Sequence, residues 1–275
     1  MKTLFNLVYN TMNKYRINYP IKIGRQKLKI LSYNIYYKAM LGLNDNFLPK
    51  ELAQENVKNI IKSGDYDIIG LQEVECINKI FDPQVLNKYS YVSGKSGKET
   101  ITTFFKNCYQ LIKEKTTEFH KGRPIQLLLL EESDNIILVL NLHAPHDTND
   151  FRKYTGKVNK SNYHYSLELI RIINEEINIF INENIIFTNF IIDRIILIGD
   201  FNELYDNSDK YSFDIIINGV NYLLKTDSNK IKSCCYPNIH KPGDYIFDSK
   251  TEPKLKIVDT IHPASDHYPV DTILN

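Results

Sequence analysis

The chain has 275 residues, enough for one large domain or two small ones, and its 43% hydrophobic content builds a substantial core, which excludes disorder as an account of the whole. With 34 basic against 33 acidic residues the net charge is +1, so no global positive excess marks a nucleic-acid or membrane partner, and any such partner must be met locally. No segment offers about twenty uninterrupted apolar residues, so no helical membrane span is expected.

Asn, Ile, Lys and Tyr are abundant and Trp is absent, a bias attributable to an AT-rich genome that inflates every apparent basic or Asn-containing motif. The four cysteines, Cys76, Cys108, Cys234 and Cys235, show no zinc-type spacing, and the adjacent pair suits no ordinary structural disulfide. A reduced intracellular compartment, cytoplasmic or nuclear, is the simplest expectation. Met1 to Tyr9 has a charged start, but its apolar core is too short and too interrupted by Asn6 for a signal peptide.

Residues Met1 to Asn44 contain eight Lys or Arg and no acidic residue. Residues 1–26 are therefore set apart as a basic N-terminal extension, read either as a phosphate-contacting arm or as a solvated tail. The main domain is taken as 27–275. Its first strand, Lys27 to Asn34, alternates and then turns apolar. A helix fits Pro49 to Ser63, with Leu52, Ala53, Val57, Ile60 and Ile61 on one face and Gly64 as its stop. Asp67 to Glu73 follows as a second strand, and the β-α-β order implies neighbouring, parallel strands.

Four further strands are read at Tyr89 to Ser93, Ile101 to Lys106, Gln126 to Glu131 and Ile136 to Leu142. Between the first two, Ser93 to Glu99 lacks the spacing of a phosphate-cradling loop, carries Glu99 where a metal-binding hydroxyl belongs, and is taken as a surface loop. Tyr163 to Phe187 places Leu169, Ile170, Ile173, Ile177, Phe180 and Ile181 at helical spacing, which reads as a long helix packed on a sheet. Ile195 to Ile198 is a run of four large aliphatics before Gly199-Asp200-Phe201-Asn202. It reads as a strand buried on both faces that delivers Asp200 at its carboxyl end. Tyr245 to Phe247, Ile257 to Asp259 and Tyr268 to Ile273 have strand character. Pro145 to Lys160 and Asp206 to Lys241 are read as loops without a motif.

Collected from strand ends, the polar residues are Asn34, Glu73, His143, Asp200 with Asn202, Asp244, and the pair Asp266-His267. Each stops a segment with a group able to bind a hard cation or move a proton. Singly, each also suits a duller role, as a turn residue, an exposed strand end or a satisfied core histidine. Together they match the needs of phosphoester hydrolysis, in which an anionic substrate is neutralised by a cation and by imidazolium. Hard oxygen ligands favour Mg²⁺, whereas zinc would want more His or Cys. His143 and His146 form no zinc pair, since no helix places both rings.

The order and wording of these segments resemble the endonuclease/exonuclease/phosphatase superfamily, which includes pancreatic-type deoxyribonuclease, abasic-site endonucleases, deadenylases, neutral sphingomyelinases and inositol polyphosphate 5-phosphatases. The resemblance runs from about Lys29 to Leu274. It rests on Leu31-Ser32-Tyr33-Asn34, Leu71-Gln72-Glu73-Val74, Asn141-Leu142-His143, Gly199-Asp200-Phe201-Asn202, Asp244-Tyr245-Ile246-Phe247 and Ser265-Asp266-His267-Tyr268-Pro269-Val270.

It implies a four-layer α/β sandwich, two facing mixed β-sheets flanked by helices. It also implies Glu73 as principal Mg²⁺ ligand, with Asn34 and Asp266 aiding and Mn²⁺ as a substitute ion. Asp200 is implied to orient or deprotonate the attacking water and Asn202 to hold a phosphate oxygen. His267, oriented by Asp244, is implied to face the scissile phosphate, and His143 to aid the leaving oxygen or the phosphate. Two departures stand out. Glu75 replaces the phosphate-gripping arginine of pancreatic-type deoxyribonuclease, and His143 sits where abasic-site endonucleases lack histidine.

The expectation is a monomeric Mg²⁺-dependent phosphoesterase, with nucleic acid favoured as substrate. A phospholipid, phosphoinositide or soluble phosphoester comes second, and a scaffold without turnover last.

Overall fold

The computed structural model describes residues 27–43, 47–75, 77–81, 87–97, 99–120, 122–145, 162–183, 191–202, 212–227, 231–235, 242–258 and 264–275. In chain order the elements begin with β1 (Leu28–Asn34), α1 (Tyr37–Leu41), α2 (Lys50–Gly64), β2 (Ile68–Gln72) and α3 (Ile77–Ile80). Then come β3 (Tyr89–Ser96), β4 (Glu99–Lys106), β5 (Gln110–His120), β6 (Arg123–Glu132) and β7 (Asn135–His143), followed by α4 (Asn162–Asn182) and β8 (Arg194–Asp200). The last are β9 (Ser212–Ile217), β10 (Val220–Lys225), β11 (Asp244–Asp248), β12 (Lys256–Ile257) and β13 (Val270–Leu274).

The strands form a six-stranded sheet, β12-β13-β1-β2-β4-β3, and a seven-stranded sheet, β5-β6-β7-β8-β11-β10-β9. Both sheets are mixed. The pair β1/β2 is parallel, as the β-α-β order implies, and so is β7/β8. Alternation along β1 assigns its faces: Leu28 and Ile30 join the core shared with the seven-stranded sheet, while Leu31 and Tyr33 pack with Ala53, Val57 and Ile61 of α2. On the far side, Leu169, Ile173, Ile177 and Phe180 of α4 belong to the same core as β6, β7 and β8. The result is the expected four-layer sandwich.

The sheets approach closely where they meet. A Cβ on Gly70 would lie 2.9 Å from Ile198 and 3.1 Å from the Asn141 side-chain oxygen, so glycine is required there. On the outer flank, α4 reaches the edge strand β9. Asn174 donates to the Asp214 carbonyl and accepts from the Ile216 N–H, and Asn178 donates to the Ile216 carbonyl. At the other edge of that sheet, Lys113 of β5 donates to the Phe180 carbonyl near the end of α4, and Lys115 pairs with Glu183.

Several sequence readings are corrected. Leu52 is exposed, because the buried stripe of α2 runs through Ala53, Val57, Ile60 and Ile61, one position away. Ser93 to Glu99 is a hairpin joining β3 and β4 around Gly97 at φ +58°, since both strands run on into it. Strand β5 was passed over because its Lys and Glu content is poor in strand propensity, and the β9–β10 hairpin falls inside Asp206 to Lys241, read as loop. Helix α4 ends at Asn182. Cys234 and Cys235 are paired with each other, the pairing that the sequence reading set aside. Residues 1–26, His146, most of the Pro145–Lys160 loop and residues 184–190 lie outside the described residues.

Candidate active site

Four strand ends place the central residues. In β7, β8 and β11, His143 is registered against Asp200 and Asp200 against Asp244, so three side chains stand in a row across one sheet. The other sheet contributes Asn34 at the end of β1 and Glu73 one residue past β2, where Asn34 is registered against Gln72. Glu73 and Asn202 adopt left-handed backbone, at φ +58° and +54°, an unfavourable conformation for non-glycine residues that concentrates at functional sites.

Asp200 is fully buried and is the hub. Its Oδ2 accepts from Asn34 Nδ2 at 3.0 Å and faces His143 Nε2 at 3.4 Å and His267 Nε2 at 3.5 Å, while its Oδ1 accepts from the Asn202 N–H at 2.8 Å. Burial alone would raise this carboxyl. The charges of His267 and His143 and the two hydrogen bonds outweigh burial and bring it down to about 2.

The same Asn34 amide donates to Glu73 Oε1 at 3.2 Å, joining the two carboxylates. Glu73 itself is pushed upward by burial, which the His143 charge and the Asn34 bond only partly offset.

His267 is anchored from below by Asp244, whose Oδ2 lies 2.8 Å from Nδ1. Burial lowers the imidazole, but Asp244 and Asp200 raise it further, to about 10, so it is an imidazolium over the working pH range. The turn carrying it is pinned by Ser265, which donates to the Asn34 carbonyl at 2.6 Å and accepts from the His267 N–H at 3.1 Å. Asp266 completes the rim; its carboxyl is raised by burial and by Asp200, and its charge is felt at Glu73.

Two residues at this site were missed by sequence reasoning. Glu99, the first residue of β4, lies 3.0 Å from His143 Nδ1, and Arg123, the first residue of β6, contacts both Glu99 and the His143 ring. Burial would raise Glu99, but His143 and Arg123 hold it below the usual carboxylate range. No sequence signal pointed to either, since each opens a strand instead of closing one and Glu99 was noticed only as a misfit to a phosphate loop. Asn202 spends one N–H on the Ala144 carbonyl at 2.6 Å, and its Oδ1 has no partner among the described residues.

Thus Asn34, Glu73, His143, Asp200, Asp244 and His267 share direct contacts, with Asn202 and Asp266 adjoining them. Two possible cation groups occur among the described residues, Cys234, Cys235 and His267, and Asp200, Asp244 and His267, each with ligand atoms within 4.8 Å of one another; the second lies at the hub. Its imidazole is raised to about 10, hydrogen-bonded to Asp244 and ion-paired with Asp200 at 3.5 Å, which suits an ion-pair triad better than a metal shell. Glu73, Asn34 and Asp266 carry the oxygen donors that a hard divalent ion takes, with Asn34 Oδ1 accepting from the Tyr36 N–H at 3.0 Å and its amide nitrogen turned to Glu73 and Asp200. Among the described residues, Glu73, Glu99, Asp200, Asp244 and Asp266 are confronted by one guanidinium and two imidazoles, and Glu73, half-buried, has the His143 ring at 3.9 Å.

The fold is similar to that of solved structures, among them an endonuclease/exonuclease/phosphatase family protein from Bacteroides thetaiotaomicron, at 17% identity over 90% of this chain and 97% of that one, TM-score 0.60. No protein-family model matches the sequence, and no curated protein matches it. Among solved structures, it is similar to TDP2 from C. elegans, at 15% identity over 90% of this chain and 74% of that one, TM-score 0.60. It is similar to the human nocturnin catalytic domain with bound sulfate, at 16% identity over 90% and 93%, TM-score 0.60. It is also similar to a mannosyl-6-phosphatase from Bacteroides thetaiotaomicron, at 17% identity over 90% and 100%, TM-score 0.61.

Proposed function

We propose that the chain is a metal-dependent phosphoesterase that hydrolyses phosphodiester bonds of nucleic acid by direct attack of water, with Mg²⁺ as its ion and Mn²⁺ as substitute. The observation that carries this reading is the convergence of Asn34, His143 and His267 on one oxygen of Asp200, beside Glu73.

In this reading Glu73, Asn34 and Asp266 hold the ion, which when bound neutralises phosphate charge. Asp200, ionised at any working pH, aligns the attacking water through its acceptor oxygens. With its pKa near 2 it is a better orienter than proton acceptor. The His267 imidazolium, fixed by Asp244, opposes the charge that develops on the phosphate. His143, fixed by Glu99, faces the leaving side, and the second N–H of Asn202 is available to a phosphate oxygen. The likeness to a mannosyl-6-phosphatase supports a phosphomonoester as the second reading.

The test is product release from single-stranded DNA, duplex DNA, RNA, sphingomyelin, phosphoinositides and a sugar phosphate, each with Mg²⁺. Turnover of a polynucleotide that stops in EDTA and falls at least about 100-fold in Glu73→Gln is expected. Full activity in either condition rules the metal mechanism out, and turnover confined to the sugar phosphate selects the second reading.

A further inference from the structure

Gln72 and Asn141 both sit beside proposed site residues, yet neither touches the Asp200 hub. Both are fully buried in the largely apolar interface between the two sheets. Gln72 Nε2 donates to Asn141 Oδ1 at 2.7 Å. Asn141 Nδ2, from the seven-stranded sheet, faces three oxygens of the six-stranded one: the Leu71 carbonyl at 3.3 Å, the Thr102 carbonyl at 3.0 Å and Thr103 Oγ1 at 3.2 Å. Thr103 in turn donates to Gln126 Oε1 at 2.7 Å. Gly70 leaves the room that the Asn141 amide occupies.

Stability does not account for this arrangement. Gln72 Oε1 has no partner among the described residues, and a buried orphan acceptor costs about 1–3 kcal/mol, whereas an apolar pair of the same shape is often neutral or better. What the amides supply is direction. Aliphatic faces slide over one another at little cost, but an Asn locked to several oxygens of the opposite sheet fixes one offset. That offset sets the contacts in which the two sheets meet at the site: Asn34 to Asp200 at 3.0 Å, Glu99 to His143 at 3.0 Å and Glu73 Oε1 to His143 Nε2 at 3.9 Å.

We propose that Gln72 and Asn141 are positioning residues, a buried amide pair that locks the two sheets in the one offset at which Glu73 and His143 serve the same phosphate. The proposal rests on the phosphoesterase reading and adds to it two residues that never meet the substrate. Misplacement of reacting groups by about 1 Å can cost on the order of 100-fold in rate, so loss of the lock acts on turnover more than on substrate affinity.

The test uses the full chain, bis(p-nitrophenyl) phosphate as substrate and Mn²⁺ binding followed by electron paramagnetic resonance. Gln72→Leu and Asn141→Leu are expected to lower kcat by about tenfold or more with KM changed by less than about twofold. They should weaken Mn²⁺ binding about 10- to 100-fold, the usual effect of losing a group that orients a ligand. Gln126→Leu removes the buried bond with Thr103 and two partly buried ones, to the Val92 carbonyl and Thr116, without breaking the Gln72–Asn141 link, and should leave kcat and Mn²⁺ binding near wild type. Should a leucine variant fail to fold, the nearly isosteric Gln72→Met decides. Unchanged kcat and Mn²⁺ affinity in folded Gln72→Met, or an equal loss in Gln126→Leu, overturns the proposal while an active wild type keeps the phosphoesterase reading. A wild type that neither binds Mn²⁺ nor turns over any phosphoester overturns both.

Discussion

Strands β8 and β11 run antiparallel with Asp200 opposite Asp244 at one end and Arg194 beside Asp248 at the other, so one strand pair displays two ways of burying charge. At the Arg194 end every charge is answered. The guanidinium meets Asp248 through two parallel bonds of 2.7 and 2.8 Å, and Asp248 accepts two more from the N–H and hydroxyl of Thr251. At the Asp200 end carboxylates outnumber their cations, and Glu73 and Asn202 hold left-handed backbone. Saturation at one end and acidity in excess at the other teach where this fold stores stability and where it keeps binding capacity.

The largest expected effect breaks the second end alone. Asp200→Asn keeps the shape but loses the negative acceptor, and should reduce turnover about 10²- to 10⁴-fold, the usual contribution of such a group. Its melting temperature should fall as well, because the ionised carboxylate is held by His267, His143 and Asn34 and contributes stability at neutral pH. Retention of more than about a tenth of wild-type rate would assign the water to another residue.

Arg194→Met breaks the first end. It strands Asp248 without its cation and should cost about 3–5 kcal/mol of unfolding free energy, measured by urea titration, with kcat unchanged in the folded protein. A loss of kcat at undiminished stability would erase the contrast between the ends.

Glu99→Gln sharpens the site further, since it keeps a hydrogen-bond acceptor for His143 but not the charge. A loss of about tenfold in kcat with little change in KM is expected. No loss would place Glu99 and Arg123 outside the chemistry.

The smallest effect is on stability against pH in EDTA. His267 binds its proton more firmly when folded, at about 10 against 6.5, so its stabilisation is complete below 6.5 and fades as pH rises towards 10. Asp200 runs the other way. Its folded value of about 2 against 3.8 makes its contribution complete above 3.8 and lost as pH falls towards 2. The gap in melting temperature between wild type and His267→Gln should therefore be widest between pH 4 and 6.5 and narrow by a few degrees towards pH 10. A gap that widens with pH contradicts the ion-pair triad.

Much of the site was legible in the sequence because its residues close strands. Asn34, His143 and Asp200 end apolar runs, and an apolar run announces where its last residue will be delivered. Glu99 and Arg123 open their strands, β4 and β6, and an opening polar residue reads as part of the turn before it. Gln72 and Asn141 were visible only as letters within motifs, because nothing in a single sequence says that two interior amides from different sheets will meet. The fold followed the same division. Strands buried on both faces, such as β8, stood out, whereas β5, with Lys113, Glu114 and Lys115 in mid-strand, did not.

Helix α4 touches both borders of the seven-stranded sheet, through Asn174 and Asn178 at β9 and through Phe180 and Glu183 at β5. A sheet border is an open row of main-chain donors and acceptors that invites a foreign strand. At β9 the two asparagines occupy that row with side-chain amides of matching polarity, so the seat is already taken. On β5 the register breaks twice, and lysines committed to the helix stand where a straight, neutral strand would have to lie. One amphipathic helix thus serves as core and as hem, and a sheet open in topology is closed to strand exchange with its neighbours.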